Sequence, residues 1–137
     1  MSELRNHHLI RKLLALNLPP DDFVVFGSGP LMAYGLRESR DLDILARGAA
    51  WEAAARCGQP MTKPNGTEYV SCGDGEIEVF RNWGPGEWDT DRVIDTADII
   101  GGIRFASLDY TLRWKRTLNR PKDQEDIRLI EAYLSRN

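Results

Sequence analysis

Strand-type patterns of hydrophobic and polar residues occur at four places in the chain. Residues 23–26 form a short, wholly apolar run, which is typical of a strand buried on both faces. Residues 41–45 alternate acidic with aliphatic side chains, and this period of two predicts a strand with one polar and one buried face. Residues 67–71 and 76–80 predict two further strands, and the glycine-containing turn between them predicts a hairpin.

Helical spacing of apolar residues predominates elsewhere. The predicted helices cover residues 4–16, 31–36, 49–57, 107–118 and 122–134. Between these helices, the pattern predicts a short strand over 93–100, a turn at Gly101-Gly102 and a further extended segment over 103–105. The loop over 82–91 contains Trp83 and Trp88, whose indoles are predicted to be exposed or half-exposed. They could stack on a base or an acceptor ring, and core contacts that anchor the loop are an equally favoured alternative.

The order of these elements predicts the class of fold. A helix is followed by strand, helix, strand and helix, then by antiparallel strands and two closing helices. This order predicts an α/β (α+β) fold, in which helices pack against a mixed sheet of four or five strands. A length of 137 residues suits one domain. We therefore expect a single domain over 1–137, with a core at about 21–106 and C-terminal helices at about 107–135.

Composition narrows the class of protein further. The chain is 42% hydrophobic and 28% charged, which is ordinary for a folded soluble protein. Its apolar runs are far shorter than the roughly 20 residues of a membrane-spanning helix, and its N-terminus lacks the order of a signal peptide. We therefore expect a cytoplasmic protein that does not associate with a membrane. Cys57 and Cys72 are too few for a disulfide framework or a four-cysteine zinc site.

The net charge of −3 hides an uneven distribution of charged residues. Nine acidic residues and two arginines lie between Glu68 and Asp98, whereas five basic residues and no acidic residue lie between Arg113 and Lys122. Such a division is typical of solvated acidic and basic faces, and it also fits a metal-holding wall opposite an anion-holding wall. The charge pattern alone leaves both interpretations open.

Candidate chemistry concentrates between residues 26 and 45. A buried strand that ends in Gly27-Ser28-Gly29 and leads into a helix directs backbone amides toward an anion such as phosphate. Asp41 and Asp43 share one face of the next predicted strand, and two close carboxylates favour a cation between them. Mg²⁺ suits such oxygen ligands together with substrate phosphates. The sequence therefore predicts adjacent phosphate and metal sites.

A third acidic residue from a neighbouring strand would complete a site for two metal ions. Glu76 and Glu78 alternate with aliphatic residues on one predicted strand, so both are candidates. We favour Glu78 because it lies within an aliphatic run, whereas Glu76 lies beside the turn and is expected to be solvated.

Two motifs resemble those of a known family. Gly27-Ser28, a twelve-residue spacer and Asp41-Leu42-Asp43-Ile44 resemble the signature of the nucleotidyltransferase superfamily, which has the DNA polymerase β-like fold. The segment from Gly35 to Asp43 is similar to the Gly-x-Arg-x-Thr-x-Asp-aliphatic-Asp version in AbiEii-type toxins and small antibiotic nucleotidyltransferases, with Ser39 in the threonine position. The segment from Lys115 to Ile127 resembles the Lys…Arg-x-Lys-Asp-x-x-Asp-Ile element of the same group.

The resemblance implies that the chain is an enzyme, a Mg²⁺-dependent nucleotidyltransferase. Such an enzyme transfers a nucleoside monophosphate from a nucleoside triphosphate to an acceptor hydroxyl or phosphate, and pyrophosphate leaves. The resemblance implies that Asp41, Asp43 and Glu78 hold two metal ions. Glu78 would hold the ion that lowers the pKa of the acceptor hydroxyl, while Gly27 and Ser28 would hold the terminal phosphates.

Four further charged residues receive roles from the same resemblance. Lys115 would meet the charge of the triphosphate, and Asp123 or Asp126 would orient that lysine or the acceptor. Arg37 would either brace the strand that carries the aspartates or reach a phosphate. The implied nucleotide-binding residues are thus Gly27, Ser28, Arg37, Lys115, Asp123 and Asp126, and the implied catalytic residues are Asp41, Asp43, Glu78 and Lys115.

Two departures from the family pattern keep alternatives open. The third acidic residue is Glu rather than the commoner Asp, and Pro30 stiffens the segment after the glycine turn. An alternative is therefore a nucleotide-binding or partner-binding module of a toxin–antitoxin pair with little turnover. RNA binding through the basic segment 113–122 is a weaker alternative, because the chain is acidic overall. The acceptor stays open among a small molecule, tRNA and protein, and a second copy or a partner chain is a candidate to complete its pocket.

Overall fold

One mixed sheet forms the centre of the fold. Its strands are β1 (Phe23–Phe26), β2 (Leu42–Ala46), β3 (Met61–Thr62), β4 (Glu68–Cys72), β5 (Ile77–Phe80), β6 (Asp98–Ile100) and β7 (Ile103–Phe105). The computed structural model describes residues 2–84 and 87–136, and in it the strands follow the order β3-β4-β5-β2-β1-β7-β6. Among the described residues the sheet therefore has seven strands, where the sequence predicts four or five. The edge strand β3 has only two residues, too few to show an alternating pattern, whereas β6 and β7 lie within the segments predicted over 93–100 and 103–105.

Strand pairing places β2 in the middle of the sheet. This strand runs antiparallel to β1 and parallel to β5. Strand β5 also pairs antiparallel with β4, which confirms the predicted hairpin. On the other side, β7 pairs in parallel with β1 and antiparallel with β6. All four residues of β1 are buried, as its apolar run predicts.

Helices cover both faces of this sheet. In the part of the chain that the structure describes, they are α1 (Ser2–Asn6), α2 (His8–Ala15), α3 (Gly29–Ala33), α4 (Gly48–Ala54), α5 (Thr90–Asp95), α6 (Leu108–Leu118) and α7 (Asp123–Ser135). The mixed α/β class predicted from the order of elements is confirmed. None of the helices within residues 2–84 and 87–136 combines the length and apolar character needed to cross a membrane.

The alternation of β1 divides the core into two layers. Val25 packs on one face with Leu13 of α2 and Ala50 of α4. Phe26 points to the opposite face and packs there with Trp114 of α6. We call this second face the α6 face, and the polar residues described below lie on it.

Two predicted elements differ in the structure. The predicted opening helix is interrupted at His7, whose backbone is not helical (φ −64°, ψ 135°) and whose Nδ1 caps α2 by accepting a hydrogen bond from a backbone amide (3.2 Å). Part of the predicted strand over 93–100 forms α5 instead. The reason is a local cap, because Asp89 accepts a hydrogen bond from the Arg92 amide (3.2 Å) and so starts the helix.

The tryptophans of the predicted loop are more buried than expected. Trp83 is 7% exposed, and its ring stacks on that of Phe26 with the centroids 4.8 Å apart. Trp88 is half-buried. For Trp83 the exposed or half-exposed position is therefore wrong, and the alternative of a core contact that anchors the loop is confirmed. Pro85 and Gly86 of this loop lie outside the described residues.

Replacing Gly29 with alanine is expected to destabilise the fold. A Cβ atom there would lie 2.3 Å from Cγ1 of Val25, which is fully buried in β1. Overpacking of this kind costs about 1–3 kcal/mol, and urea denaturation would show it as a lower midpoint with an unchanged slope. Gly58→Ala is the matched control, because its Cβ would come no closer than 3.8 Å to the nearest non-adjacent atom. Equal midpoints for the two variants would contradict this packing.

Candidate active site

Asp43 lies at the centre of a group of polar residues on the α6 face. Its neighbours Leu42 and Ile44 in β2 belong to the opposite core layer, so Asp43 points with Leu45 toward the α6 face. The register partner of Asp43 across the parallel pair of β2 and β5 is Glu78. The two carboxylates therefore lie side by side on adjacent strands.

The turn after β1 approaches Asp43 closely. Gly27 has a left-handed conformation (φ +66°), which glycine adopts without strain. A Cβ atom at Gly27 would lie 2.7 Å from Oδ2 of Asp43, so a larger residue would collide with the carboxylate. The glycine turn and the aspartate-bearing strand therefore meet at one place.

Asp41 and Glu78 line the same cavity as Asp43. Asp41 is exposed and directly precedes β2, so it lies just outside the strand predicted to contain it. Glu76 is not among the residues that line this cavity. It binds Lys12 at 2.5 Å, and this hydrogen bond lowers the pKa of Glu76. Of the two candidates for a third carboxylate, Glu78 is the one beside Asp43.

The electrostatic environment of Asp43 differs from that of an ordinary aspartate. Burial and the negative charges of Asp41 and Glu78 together raise the pKa of Asp43 to about 7. The ammonium groups of Lys63 and Lys115 act in the opposite direction and lower this pKa. A cation bound beside Asp43 would relieve the repulsion among the three carboxylates and favour the ionised form.

The donor set at Asp43 fits Mg²⁺ in its chemistry. Asp41, Asp43 and Glu78 supply carboxylate oxygens, which Mg²⁺ prefers. Among residues 2–84 and 87–136, no three acidic, histidine or cysteine side chains are grouped closely enough to hold a metal ion by themselves. Mg²⁺ usually takes only one or two carboxylates and completes its coordination with water and substrate phosphates. An ion at this position would therefore be held jointly with a bound phosphate group.

Ser28 connects the glycine turn to the C-terminal helices. Its Oγ accepts hydrogen bonds from Nζ of Lys115 (2.9 Å) and from Nη2 of Arg37 (2.8 Å). Both cations also bind Asp126, Lys115 at 2.9 Å and Arg37 in a bidentate pair at 2.6 and 2.9 Å. A serine hydroxyl that accepts two hydrogen bonds still has its own hydrogen to donate. Arg37 thus braces the Ser28 turn against α7 rather than bracing β2.

Lys115 is held in a closed cluster of polar groups. It lines the cavity but is only 3% exposed. Its Nζ has three oxygen partners, which belong to Ser28, Asp126 and, at 3.7 Å, Asp123. Two of these contacts, to Ser28 and Asp126, are at hydrogen-bond distance, whereas the contact with Asp123 is a longer ion pair. The lysine that the resemblance assigns to the triphosphate is therefore already paired with acidic side chains of α7.

Asp123 and Asp126 hold the junction of α6 and α7 in place. Burial alone would raise the pKa of each, but hydrogen bonds from Arg120 to Asp123, and from Arg37 and Lys115 to Asp126, lower both pKa values below the ordinary range. Asp123 accepts from the backbone amide of Arg120 (2.9 Å) and from its guanidinium (2.8 and 3.0 Å). Both carboxylates are therefore ionised and firmly bound at neutral pH.

The cavity has a volume of about 460 Å³ and a second wall that has no counterpart among the predicted residues. Lys63, Asn65 and Thr67, between β3 and β4, line it together with Trp83 and Trp114. This wall escapes prediction because β3 contains only two residues. The Pro-Asn-Gly sequence at 64–66 is a turn signal that could have indicated a hairpin there.

The acidic segment does not form a metal-holding wall. Of its nine acidic residues, Glu78 lines the cavity. Asp91 and Asp95 bind Arg47, each at 2.9 Å, on a different part of the surface. Most of this charge therefore serves pairing or solvation.

The basic segment is divided as well. Lys115, Arg120 and Lys122 line the cavity. Arg113 lies 4.5 Å from the ring centroid of Trp88, and Arg116 binds Glu131 at 2.5 Å. Three of the five basic residues therefore line the cavity, and the other two have partners outside it.

No protein-family model, curated protein or solved structure matches this chain. The function proposed below therefore rests on the residues of the cavity and on the motifs of the sequence.

Asp126→Asn is expected to lower the free energy of unfolding by about 3 kcal/mol at neutral pH, because it removes one partner of a buried charge pair. The folded-state pKa of Asp126 lies below its unfolded value of about 4. Its contribution is therefore present above the unfolded pKa and is lost as the pH falls through the folded-state pKa. Urea denaturation at several pH values should show the difference between wild type and variant shrinking below about pH 4.

Glu131→Gln is the control for this experiment. Glu131 forms an exposed ion pair with Arg116, whose loss costs less than about 1 kcal/mol. A difference between wild type and Asp126→Asn that is small at neutral pH, or that stays constant as the pH falls, would contradict the cluster described above.

Proposed function

We propose that the protein is a Mg²⁺-dependent nucleotidyltransferase with a DNA polymerase β-like fold. It would move a nucleoside monophosphate from a nucleoside triphosphate to an acceptor hydroxyl or phosphate. The observation that carries the proposal is the close approach of the Gly27 turn to Asp43, whose register partner is Glu78. Transfer of a nucleotidyl group depends mainly on positioning and on neutralising the charge of the phosphates. A phosphate-binding turn beside a carboxylate pair supports such chemistry.

Ser28 is the group best placed to bind a terminal phosphate. Its hydroxyl accepts from Lys115 and Arg37, so its own hydrogen is available for an anionic oxygen. The two cations polarise this hydroxyl and add positive charge near the turn. Helix α3 has only five residues, so its dipole contributes little and the turn itself must supply the contacts.

The carboxylates occupy the other side of the same cavity. Asp41, Asp43 and Glu78 would hold Mg²⁺, which when bound neutralises phosphate charge and lowers the pKa of an acceptor hydroxyl. Asp43 is the central member because it contacts the glycine turn on one side and faces Glu78 on the other. Its position fixes the distance between the phosphate-binding turn and the acceptor side of the cavity.

The proposed reaction needs no reactant besides the nucleoside triphosphate and the acceptor. An acceptor oxygen forms a bond to the α-phosphorus, the bond from that phosphorus to the bridging oxygen breaks, and pyrophosphate leaves with the electron pair. The acceptor proton passes to solvent or to a carboxylate of the cavity. The residues of this chain would supply orientation and charge rather than a covalent intermediate.

One observation favours a second candidate, a nucleotide-binding module with little turnover. Lys115 is buried, and its ammonium group already binds Ser28 and Asp126 at 2.9 Å, with Asp123 at 3.7 Å. A lysine whose charge is already neutralised by acidic side chains gives less stabilisation to developing negative charge than an unpaired lysine. Such a module would bind nucleotide in a Mg²⁺-dependent manner and release no pyrophosphate.

Asp43→Asn is expected to lower the rate of pyrophosphate release by at least about a hundredfold, the range for losing one key electrostatic contact with a transition state. The physical reason is the loss of the central charge that holds Mg²⁺ beside the phosphates. The measurement is pyrophosphate release from each labelled triphosphate, with Mg²⁺ and a cell extract as the source of acceptor. The labelled product also shows whether the acceptor is a metabolite, a tRNA or a protein.

Glu76→Gln is the matched control, because Glu76 pairs with Lys12 and is not among the residues lining the cavity. It should leave the rate unchanged. Mg²⁺-dependent nucleotide binding without pyrophosphate release would favour the second candidate. Nucleotide binding that is absent from the wild type with and without Mg²⁺ would overturn both.

A further inference from the structure

Lys63 lies beside the carboxylate pair on the wall formed by the β3–β4 loop. Its Nζ is 3.4 Å from Oε1 of Glu78. The side chains of Lys63 and Glu78 are 38% and 33% exposed, so both are open to the cavity and to solvent. Neither the family motifs nor the hydrophobic pattern points to Lys63.

The position of Lys63 is set by its own hairpin rather than by Glu78 alone. Its backbone amide donates to the carbonyl of Thr67 (2.9 Å), and its carbonyl accepts from the amide of Gly66 (2.8 Å). Its ammonium also lies 4.6 Å from the ring centroid of Tyr69 and 5.7 Å from that of Phe80. A cation over aromatic faces gains electrostatic stabilisation. The hairpin therefore holds a positive charge at the acceptor side of the cavity.

Tyr69 and Phe80 form a continuous aromatic shelf under this charge. They are register partners in the antiparallel pair of β4 and β5, and their rings stack with the centroids 5.4 Å apart. Phe80 shares β5 with Glu78, two residues away on the same face. The aromatic rings beneath Lys63 thus come from β4 and from β5, the strand that carries Glu78.

Lys63 and Lys115 differ in how firmly their charges are held. Lys115 is buried among three oxygen partners. Lys63 has one ion pair, and its length of 3.4 Å exceeds the usual 2.7–3.2 Å of a hydrogen bond. An exposed pair of this length is worth little, so another cation can replace Lys63 at Glu78 at small cost.

We propose that Lys63 is a positioning residue for the carboxylates, a resident cation that neutralises Glu78 in the nucleotide-free protein and yields it to Mg²⁺ when the nucleotide binds. The inference rests on the proposed function, because it assumes that Glu78 holds metal. Two cations cannot both sit against the same carboxylate without repulsion. Lys63 therefore weakens binding of free Mg²⁺, and the phosphates that arrive with the metal give its ammonium a new anionic partner.

The test compares the thermal unfolding midpoint of wild type and of Lys63→Met during a titration with Mg²⁺ in the absence of nucleotide. Methionine keeps the apolar stem over the aromatic shelf and removes the charge. We expect Lys63→Met to unfold at a slightly lower temperature without metal, because Glu78 and Asp43 lose one of their nearby cations. We also expect its Mg²⁺ titration midpoint to fall by on the order of fivefold relative to wild type.

Three further variants separate this role from a merely structural one. Lys63→Arg keeps the charge and should titrate like wild type. Lys12→Met removes a lysine that pairs with Glu76 and is not among the residues lining the cavity, so its Mg²⁺ midpoint should not change. The double variant Lys63→Met, Glu78→Gln should lose the gain in Mg²⁺ affinity, since the carboxylate for which the two cations compete is gone.

The outcomes distinguish the inference from the function on which it rests. Equal Mg²⁺ midpoints for wild type and Lys63→Met, with a response that Asp43→Asn abolishes, would overturn the role of Lys63 and leave the metal site standing. A thermal midpoint that responds to Mg²⁺ alone in neither protein would overturn the role of Lys63, whereas the proposed Mg²⁺ dependence would be overturned only if the response is also missing when a nucleoside triphosphate is present.

Discussion

Asp43 is held between two neighbours by the pairing of three strands. Strand β2 runs antiparallel to β1 on one side and parallel to β5 on the other, so the Asp43 carboxylate lies against the Gly27 turn and beside Glu78. Neither neighbour can move away without breaking strand pairing in the centre of the sheet. The strand order therefore concentrates negative charge in a partly buried position. The cationic side chains around the cavity offset part of this charge.

The two lysines near Asp43 differ in how tightly their ammonium groups are bound. Lys115 is buried, and the acidic residues of α7 neutralise it and fix it against Ser28. Its closed cluster joins the glycine turn to the C-terminal helices and gives the cavity one rigid wall. Lys63 is half-exposed on a short hairpin and has a single long ion pair. Of the two walls, the one that contains Lys63 is therefore the one whose charged side chains are less firmly held.

Patterns that extend along a strand made the central part of the site predictable. The alternation at 41–45 and at 76–80 predicted that Asp43 and Glu78 would each lie on a polar strand face, and the register between β2 and β5 brings them together. The apolar run at 23–26 predicted the buried strand β1, with bounds that match the structure.

Features that depend on a few residues or on distant contacts were not predictable. The α5 helix starts at one Asp89 cap, and β3 has only two residues. The resemblance pairs Lys115 with Asp123 or Asp126, but its contact with Ser28 joins remote parts of the chain. A sequence pattern shows that a lysine lies on a helix face, but not that such a contact buries it.

The residue proposed as third carboxylate is Glu78, where the family that the motifs resemble more often has Asp, and the longer side chain matters for its contacts. Neighbouring strands are about 4.8 Å apart, and an Asp at position 78, one methylene shorter, would reach less far toward Lys63. Glutamate has one more methylene and one more torsion angle, which lets its carboxylate lean toward Lys63, as it does at 3.4 Å, or turn back toward Asp43. A carboxylate that serves two cations in succession needs this freedom. In the proposed function, the length of Glu78 and the half-exposed position of Lys63 therefore serve the same exchange of one cation for another.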